Sequence, residues 1–132
     1  MKMTAATNKL PAQIATTKTG AAENNPAIFS FFAGVGFLDL GFEQSGFDVV
    51  FVNEIHHPFL KAYRFARQRM KIKEPTFGYH EDDIKELLGK KEGTELQQKV
   101  LQARKAHKSV GFIGGPPCPD FSVGGKNRGR YG

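Results

Sequence analysis

The sequence predicts an α/β domain with a parallel sheet and flanking helices, on three observations. Short apolar blocks at Ile28–Phe32, Val49–Val52 and Val110–Ile113 have the length and the β-branched or aromatic content of buried strands. Between them lie stretches whose apolar residues recur at helical spacing. Two of the three blocks run straight into glycine turns, Gly34-Val35-Gly36 and Gly114-Gly115.

Taken in order, Met1 to Ala27 is rich in Thr, Ala, Asn and Lys, with no apolar period, and reads as a flexible leader over 1–27. The folded region is expected over 28–132. After the first strand and its glycine turn, Phe37, Leu38, Leu40 and Phe42 fit a helix closed by Gly46. Val49–Val52 is the second strand, with Asn53-Glu54 at its C-terminal end. Pro58 suits the first turn of a helix reaching about Met70, in which Phe59, Tyr63 and Ala66 share a face. Asp82-Asp83 precede a short helix at Ile84–Leu88 that ends at Gly89. Thr94 to His107 is a further helix, with Leu96, Val100 and Ala103 on one side. Val110–Ile113 is the last strand, and beyond it lie Pro116, Pro117, Cys118 and a glycine-rich basic tail.

Composition narrows the function. With 39% hydrophobic and 24% charged residues among 132, the chain suits one modest folded domain. No apolar run approaches the roughly 20 residues of a membrane helix, so no membrane partner is expected. Nineteen Lys and Arg against 13 Asp and Glu give a net charge of +6, which favours a polyanionic partner, nucleic acid first. The single cysteine excludes an internal disulfide and a multi-cysteine zinc site, and indicates a reducing, intracellular compartment, cytoplasmic or nuclear. The histidines lack ligand spacing: His56 and His57 are adjacent, His80 and His107 isolated. No metal site is expected.

Two glycine clusters carry the chemistry. Gly34-Val35-Gly36 follows a strand and opens a helix, where the backbone can approach a ligand and helix amides face it. Glu54 ends the next strand, where a carboxylate can accept from the two hydroxyls of a ribose. The pair describes a site for an adenosine-containing ligand. The dinucleotide pattern fails, because its third glycine would fall at Asp39, and the P-loop pattern fails at Asp120 and Asn127. In the second cluster, Pro116, Pro117 and Pro119 hold Cys118 on a stiff loop at the C-terminal edge of the sheet, where a thiol can serve as a nucleophile. Lys126, Arg128 and Arg130 lie close behind and suit phosphate contact.

The segments Phe31-Phe32-Ala33-Gly34-Val35-Gly36-Phe37-Leu38-Asp39-Leu40-Gly41-Phe42-Glu43 and Val52-Asn53-Glu54-Ile55 resemble the S-adenosylmethionine motif of DNA cytosine-5 methyltransferases. Gly114-Gly115-Pro116-Pro117-Cys118-Pro119-Asp120-Phe121-Ser122, with Gly125-Lys126-Asn127-Arg128-Gly129, resembles that family's catalytic proline–cysteine loop. Asp83-Ile84 falls where the family has an Asp-Ile pair at the adenine.

The resemblance, which covers 28–132, implies a Rossmann-like methyltransferase domain that transfers a methyl group from S-adenosyl-L-methionine to C5 of cytosine in DNA. It implies that Phe32 packs on adenine, and that Gly34, Val35 and Gly36 admit the methionine end. Glu54 would hold the ribose, while Ile55, Asp83 and Ile84 form the adenine pocket. It implies that Cys118 attacks C6 of a flipped cytosine, that Pro117 shapes the pocket, and that Ser122, Lys126 and Arg128 contact DNA.

This sequence departs from the family pattern with Phe37 in place of a second glycine, His56 in place of Asp, and Pro119 in place of Gln. The family's later motifs include the Glu-Asn-Val glutamate that protonates the target ring and the DNA target-recognition region. They are expected on a second chain or on a missing continuation, which makes this chain a fragment, a truncated product or one half of a split enzyme. Two competing readings are a catalytically silent nucleic-acid-binding remnant and an adenosine-dependent enzyme unrelated to DNA.

Overall fold

The computed structural model describes residues 25–89 and 94–117. Among these residues four strands and four helices follow in the order β1 (Ala27–Phe31), α1 (Phe37–Gln44), β2 (Asp48–Asn53), α2 (His57–Arg69), β3 (Tyr79–His80), α3 (Ile84–Leu88), α4 (Glu95–Ala106) and β4 (Val110–Gly114). The strands form one sheet in the order β3-β2-β1-β4, and every pairing is parallel. The expected α/β architecture is present, and the three expected strands share one sheet. β3 is an addition: two residues long, it is too short to leave a periodic trace.

The first strand begins one residue earlier than the sequence indicates. Ala27 is fully buried in β1, the Pro26 carbonyl accepts from the Asp48 amide, and the Asn25 carbonyl accepts from His107 Nδ1. Residues 25 to 27, placed in the leader by composition, therefore tie into the sheet.

Side chains alternate across the sheet and feed two apolar layers. On one face Phe29, Phe51 and Val50 meet Leu96 and Ala103 of α4. On the other, Ile28, Val49 and Val52 meet Leu60 and Tyr63 of α2, with Phe42 of α1 beside them. Pairing passes from Ile28–Val49 to Phe29–Phe51, which leaves Val50 as the extra residue of a bulge. That is why Val50 and Phe51, although consecutive, serve the same layer. Phe29 lies within 5.4–5.8 Å of the rings of Phe51, Phe77 and Phe112. Among the described residues β4 pairs with β1 alone, and Phe112 keeps 59% of its surface in solvent.

Thr94 starts α4 with a reciprocal cap, its hydroxyl accepting from the Gln97 amide while the Gln97 side chain accepts from the Thr94 amide. The Leu96–Ala103 face is buried as expected. Two helices depart from expectation. In α1 the buried residue is Asp39, while Phe37 is 80% exposed and Leu38 half exposed. In α2 the buried face is Leu60, Tyr63 and Arg67, and Phe59 lies partly in solvent. Both departures have one cause, a polar cluster between the two helices and the end of β1.

Candidate active site

The chain leaves β1 for β2 on one side and returns as β4 on the other, so the strand order reverses between β1 and β4. Loops diverge at such a point and leave a crevice at the C-terminal edge of the sheet. Phe31 pairs with Gly114, so the last residues of the two strands stand side by side. The stretches Phe32–Gly36 and Gly115–Pro117 therefore leave the sheet from neighbouring positions. Gly114 suits this closeness, since a Cβ there would stand 2.9 Å from the Phe31 carbonyl oxygen.

The turn after β1 reverses the chain with positive φ at Phe32 (52°), Gly34 (58°) and Gly36 (89°). Phe32 is unusual, because a bulky side chain in the left-handed region costs roughly 1–2 kcal/mol. The Gly36 amide donates to the Ala33 carbonyl at 3.0 Å, and the Ala33 amide donates to the Asn53 carbonyl at 3.1 Å. The two glycines differ in role. A Cβ on Gly36 would lie 2.5 Å from the Tyr63 ring and 2.6 Å from Arg67 Nη1, whereas one on Gly34 would meet nothing within 4 Å. Gly36 is a packing requirement; Gly34 leaves open space for an approaching group.

Glu54 closes the turn from the β2 side. It is 8% exposed, its Oε2 accepts from the Gly34 amide and its Oε1 from the His56 amide, both at 2.8 Å. Each oxygen keeps a second lone pair for another donor. The carboxyl group is thus fixed at the rim, directly against the glycine turn.

Behind the turn sits the polar cluster. The buried Asp39 carboxyl accepts from Ser30 Oγ at 2.8 Å and from the Tyr63 hydroxyl at 2.7 Å. Arg67, also buried, donates from Nη2 to the Gly36 carbonyl at 3.2 Å and to Glu43 Oε2 at 3.1 Å. Its guanidinium lies 3.7 Å from the Tyr63 ring centre. Burial, reinforced by the Asp39 carboxyl, pushes the Tyr63 hydroxyl far above the ordinary tyrosine range. Burial also raises Glu43, against the pull of the Arg67 guanidinium.

A third segment completes the rim. Asn53, 2% exposed at the end of β2, donates from Nδ2 to the carbonyls of His80 (3.1 Å) and Asp82 (2.8 Å). His80 stacks on Phe51 with ring centres 4.3 Å apart. Asp83 follows, and its Oδ1 caps α3 by accepting from the Lys85 amide at 2.8 Å.

The structure therefore brings Phe32, Gly34, Val35, Gly36, Glu54, Ile55, Asp83 and Ile84 onto three segments that end β1 and β2 and follow β3. Val35 and Ile55 are exposed, with 57% of Ile55 in solvent, while Phe32 and Ile84 are partly buried. Pro117 is exposed on the segment after β4. Cys118, Ser122, Lys126 and Arg128 lie outside the described residues. Among those described, no group of three or more His, Cys, Asp or Glu could hold a metal ion, and no helix is long and apolar enough to cross a membrane. Sequence reasoning did not single out Asn53, Asp39 or Arg67 for a role. A polar residue standing where helical spacing expects an apolar one was the available signal for Asp39.

A glycine turn closed by an acidic side chain, at the reversal point of a parallel sheet wound 3-2-1-4, defines a Rossmann-like α/β domain. A family model for C-5 cytosine-specific DNA methylase matches residues 27–131, and the chain belongs to that family. It is 55% identical over 105 residues to the type II methyltransferase M.NmeDI of Neisseria meningitidis serogroup C, covering 80% of this chain and 25% of that protein. It is 33% identical over 102 residues to the type II methyltransferase M.FnuDI of Fusobacterium nucleatum, covering 77% and 23%. With the DNA (cytosine-5-)-methyltransferase M.ApeKI of Aeropyrum pernix it shares 35% over 106 residues, covering 71% and 19%. The chain thus spans a quarter or less of the length of these three relatives. No solved structure matches it.

Proposed function

We propose that this chain is the cofactor-binding and nucleophile-bearing part of an S-adenosylmethionine-dependent DNA cytosine-5 methyltransferase, acting with a polypeptide that supplies the remaining motifs. One observation carries the reading. The Phe31–Gly114 pairing sets the two glycine clusters beside each other at the edge where α/β sheets bind ligands.

The residues at that edge fit the cofactor. Gly34 leaves an open approach, Glu54 keeps lone pairs for the ribose hydroxyls, and Asp83 Oδ2 is not engaged by the helix cap. Phe32, Ile55 and Ile84 offer apolar surface for the base, while Val35 and Gly36 border the methionine end. When bound, S-adenosylmethionine supplies a methyl group activated on a sulfonium. Cys118 follows Pro117 and is the nucleophile: its thiolate sulfur bonds to C6 of a flipped cytosine and the ring electron pair moves toward C5. C5 then takes the methyl group as the methyl–sulfur bond breaks, leaving S-adenosylhomocysteine, and loss of the C5 proton re-forms the double bond and expels the cysteine. Negative charge on the ring needs a proton donor in a dry pocket, and the completing polypeptide provides it. Pro117 holds the cysteine loop, and Ser122, Lys126 and Arg128 contact the DNA backbone.

The experiment supplies the completing region as the corresponding segment of the Neisseria meningitidis relative. The mixture is expected to methylate DNA and to trap a covalent adduct on DNA carrying 5-fluorocytosine, whose fluorine cannot leave as a proton does. Cys118→Ser is expected to abolish both. An adduct formed equally by Cys118→Ser would overturn the assignment. DNA binding with no transfer in the complemented protein would favour a silent nucleic-acid-binding remnant.

A further inference from the structure

We propose that Asn53 is a positioning residue that sets the selectivity of the cofactor site for adenine. The proposal rests on the reading above, in which Glu54 holds the ribose and Asp83 accepts from the adenine amino group.

The argument starts from how weakly the segment after β3 is otherwise held. β3 contributes two residues, paired as Val52–Tyr79 and Asn53–His80, and α3 is a five-residue helix. Asp83 sits between these short elements. The amide of Asn53 bridges the gap: one side chain spends its two N–H groups on the carbonyls of His80 and Asp82. The His80 carbonyl also accepts from the Glu54 amide at 3.0 Å. The Asp82 carbonyl belongs to the peptide that leads directly into Asp83. Through its side chain, the residue that ends β2 therefore ties the backbone presenting Asp83 to the strand end beside Glu54.

Removing the amide leaves two carbonyls without these donors and frees the Asp82–Asp83 peptide to turn. Glu54 keeps its own anchors, the amides of Gly34 and His56. The effect should therefore fall on the base and spare the ribose. Adenine presents an amino donor at position 6, and hypoxanthine presents a carbonyl acceptor there. A fixed Asp83 carboxyl prefers the first and repels the second; a loose one does neither well.

The test measures binding of S-adenosylhomocysteine and of its hypoxanthine counterpart, S-inosylhomocysteine, to the 132-residue chain by calorimetry. The wild type is expected to prefer the adenine ligand by about tenfold or more. Asn53→Ala is expected to reduce that preference to within about threefold, mainly by weakening the adenine ligand. Asn53→Ser, which keeps one donor and leaves a smaller cavity, is expected to fall between. Glu54→Gln serves as the control, weakening both ligands by a similar factor and keeping the preference. If Glu54→Gln behaves so but both Asn53 variants retain the wild-type preference, the positioning role is wrong and the cofactor reading stands. If the wild type binds neither ligand, or Glu54→Gln changes nothing, the cofactor reading fails and the proposal with it. If both Asn53 variants unfold, as read by circular dichroism, Asn53 is a structural residue and the proposal is overturned.

Discussion

Tyr63 on α2 donates its hydroxyl proton to Oδ2 of Asp39 on α1 across 2.7 Å, and neither side chain reaches solvent. The bond welds together the two helices on one face of the sheet, and it does so directly behind Gly36. A buried carboxyl group with two hydroxyl donors is stable only while both remain. Tyr63→Phe should lower unfolding free energy by about 1–3 kcal/mol, the usual penalty for stranding a buried acceptor. Combined with Ser30→Ala, the loss should be non-additive, because both hydroxyls serve the same carboxyl group. Urea denaturation of the two single variants and the double variant measures both quantities.

The same tyrosine governs behaviour in alkali. Its folded-state pKa is raised by burial and by Asp39, while the unfolded side chain ionises near the ordinary value of about 10. Its contribution is complete below the unfolded value and is lost as pH rises above it. Above about pH 10 this one group should cost about 1.4 kcal/mol of stability per pH unit. Thermal unfolding from pH 8 to 11 should show wild-type stability falling more steeply than that of Tyr63→Phe.

Glu43 gives a test on the acid side. Burial raises its folded-state pKa above the unfolded value, outweighing the Arg67 guanidinium. A raised pKa means a contribution fully present below the unfolded value and lost as pH rises through the folded one. Wild-type stability measured relative to Glu43→Gln should therefore improve as pH falls from 7 to 4. A difference that moved the opposite way would show that the Arg67 ion pair outweighs burial.

The two glycines of the turn should separate packing from approach. Gly36→Ala places a Cβ against the Tyr63 ring at a φ of 89°, and should destabilise by about 2–5 kcal/mol through strain and overpacking together. Gly34→Ala meets open space and carries only the backbone term, about 1–2 kcal/mol. Gly34→Ala should nevertheless weaken S-adenosylhomocysteine, because the methyl group stands in the open space that Gly34 preserves. Melting temperatures and calorimetric titration of both variants check the pair.

Much of this fold was legible because apolar runs and glycines report it locally. The block Val49–Val52 is buried on both faces of the sheet, and Val110–Ile113, partly exposed at Phe112, is marked by the same excess of β-branched and aromatic residues. The α4 stripe and the glycine turn were equally plain. The interiors of α1 and α2 were not. Helical spacing assigned Phe37, Leu38 and Phe59 to the buried side, but Asp39 and Arg67 took those places. Their burial depends on partners distant in sequence: Ser30 and Tyr63 for Asp39, and Glu43 and the Gly36 carbonyl for Arg67. A periodicity argument sees one segment at a time and counts each polar residue as surface. β3 escaped because two paired residues leave no periodic trace in the sequence. The motif resemblance pointed to the turn residues that the fold places at one edge of the sheet, whereas the bonds of Asn53 behind them needed geometry.

The two margins of the sheet are unequal in a way that bears on how the protein behaves in a tube. β3 ends the sheet with two residues, a margin too short to template another strand. Among the described residues β4 ends the other side with five, Val110-Gly111-Phe112-Ile113-Gly114, uncharged, and Phe112 packs against Phe29 and Phe31 while keeping more than half of its surface exposed. Of these two margins, β4 alone is long enough to template a further strand. Purification at high concentration should favour self-association through that margin, and a lysine in place of Phe112 should hold the chain in solution.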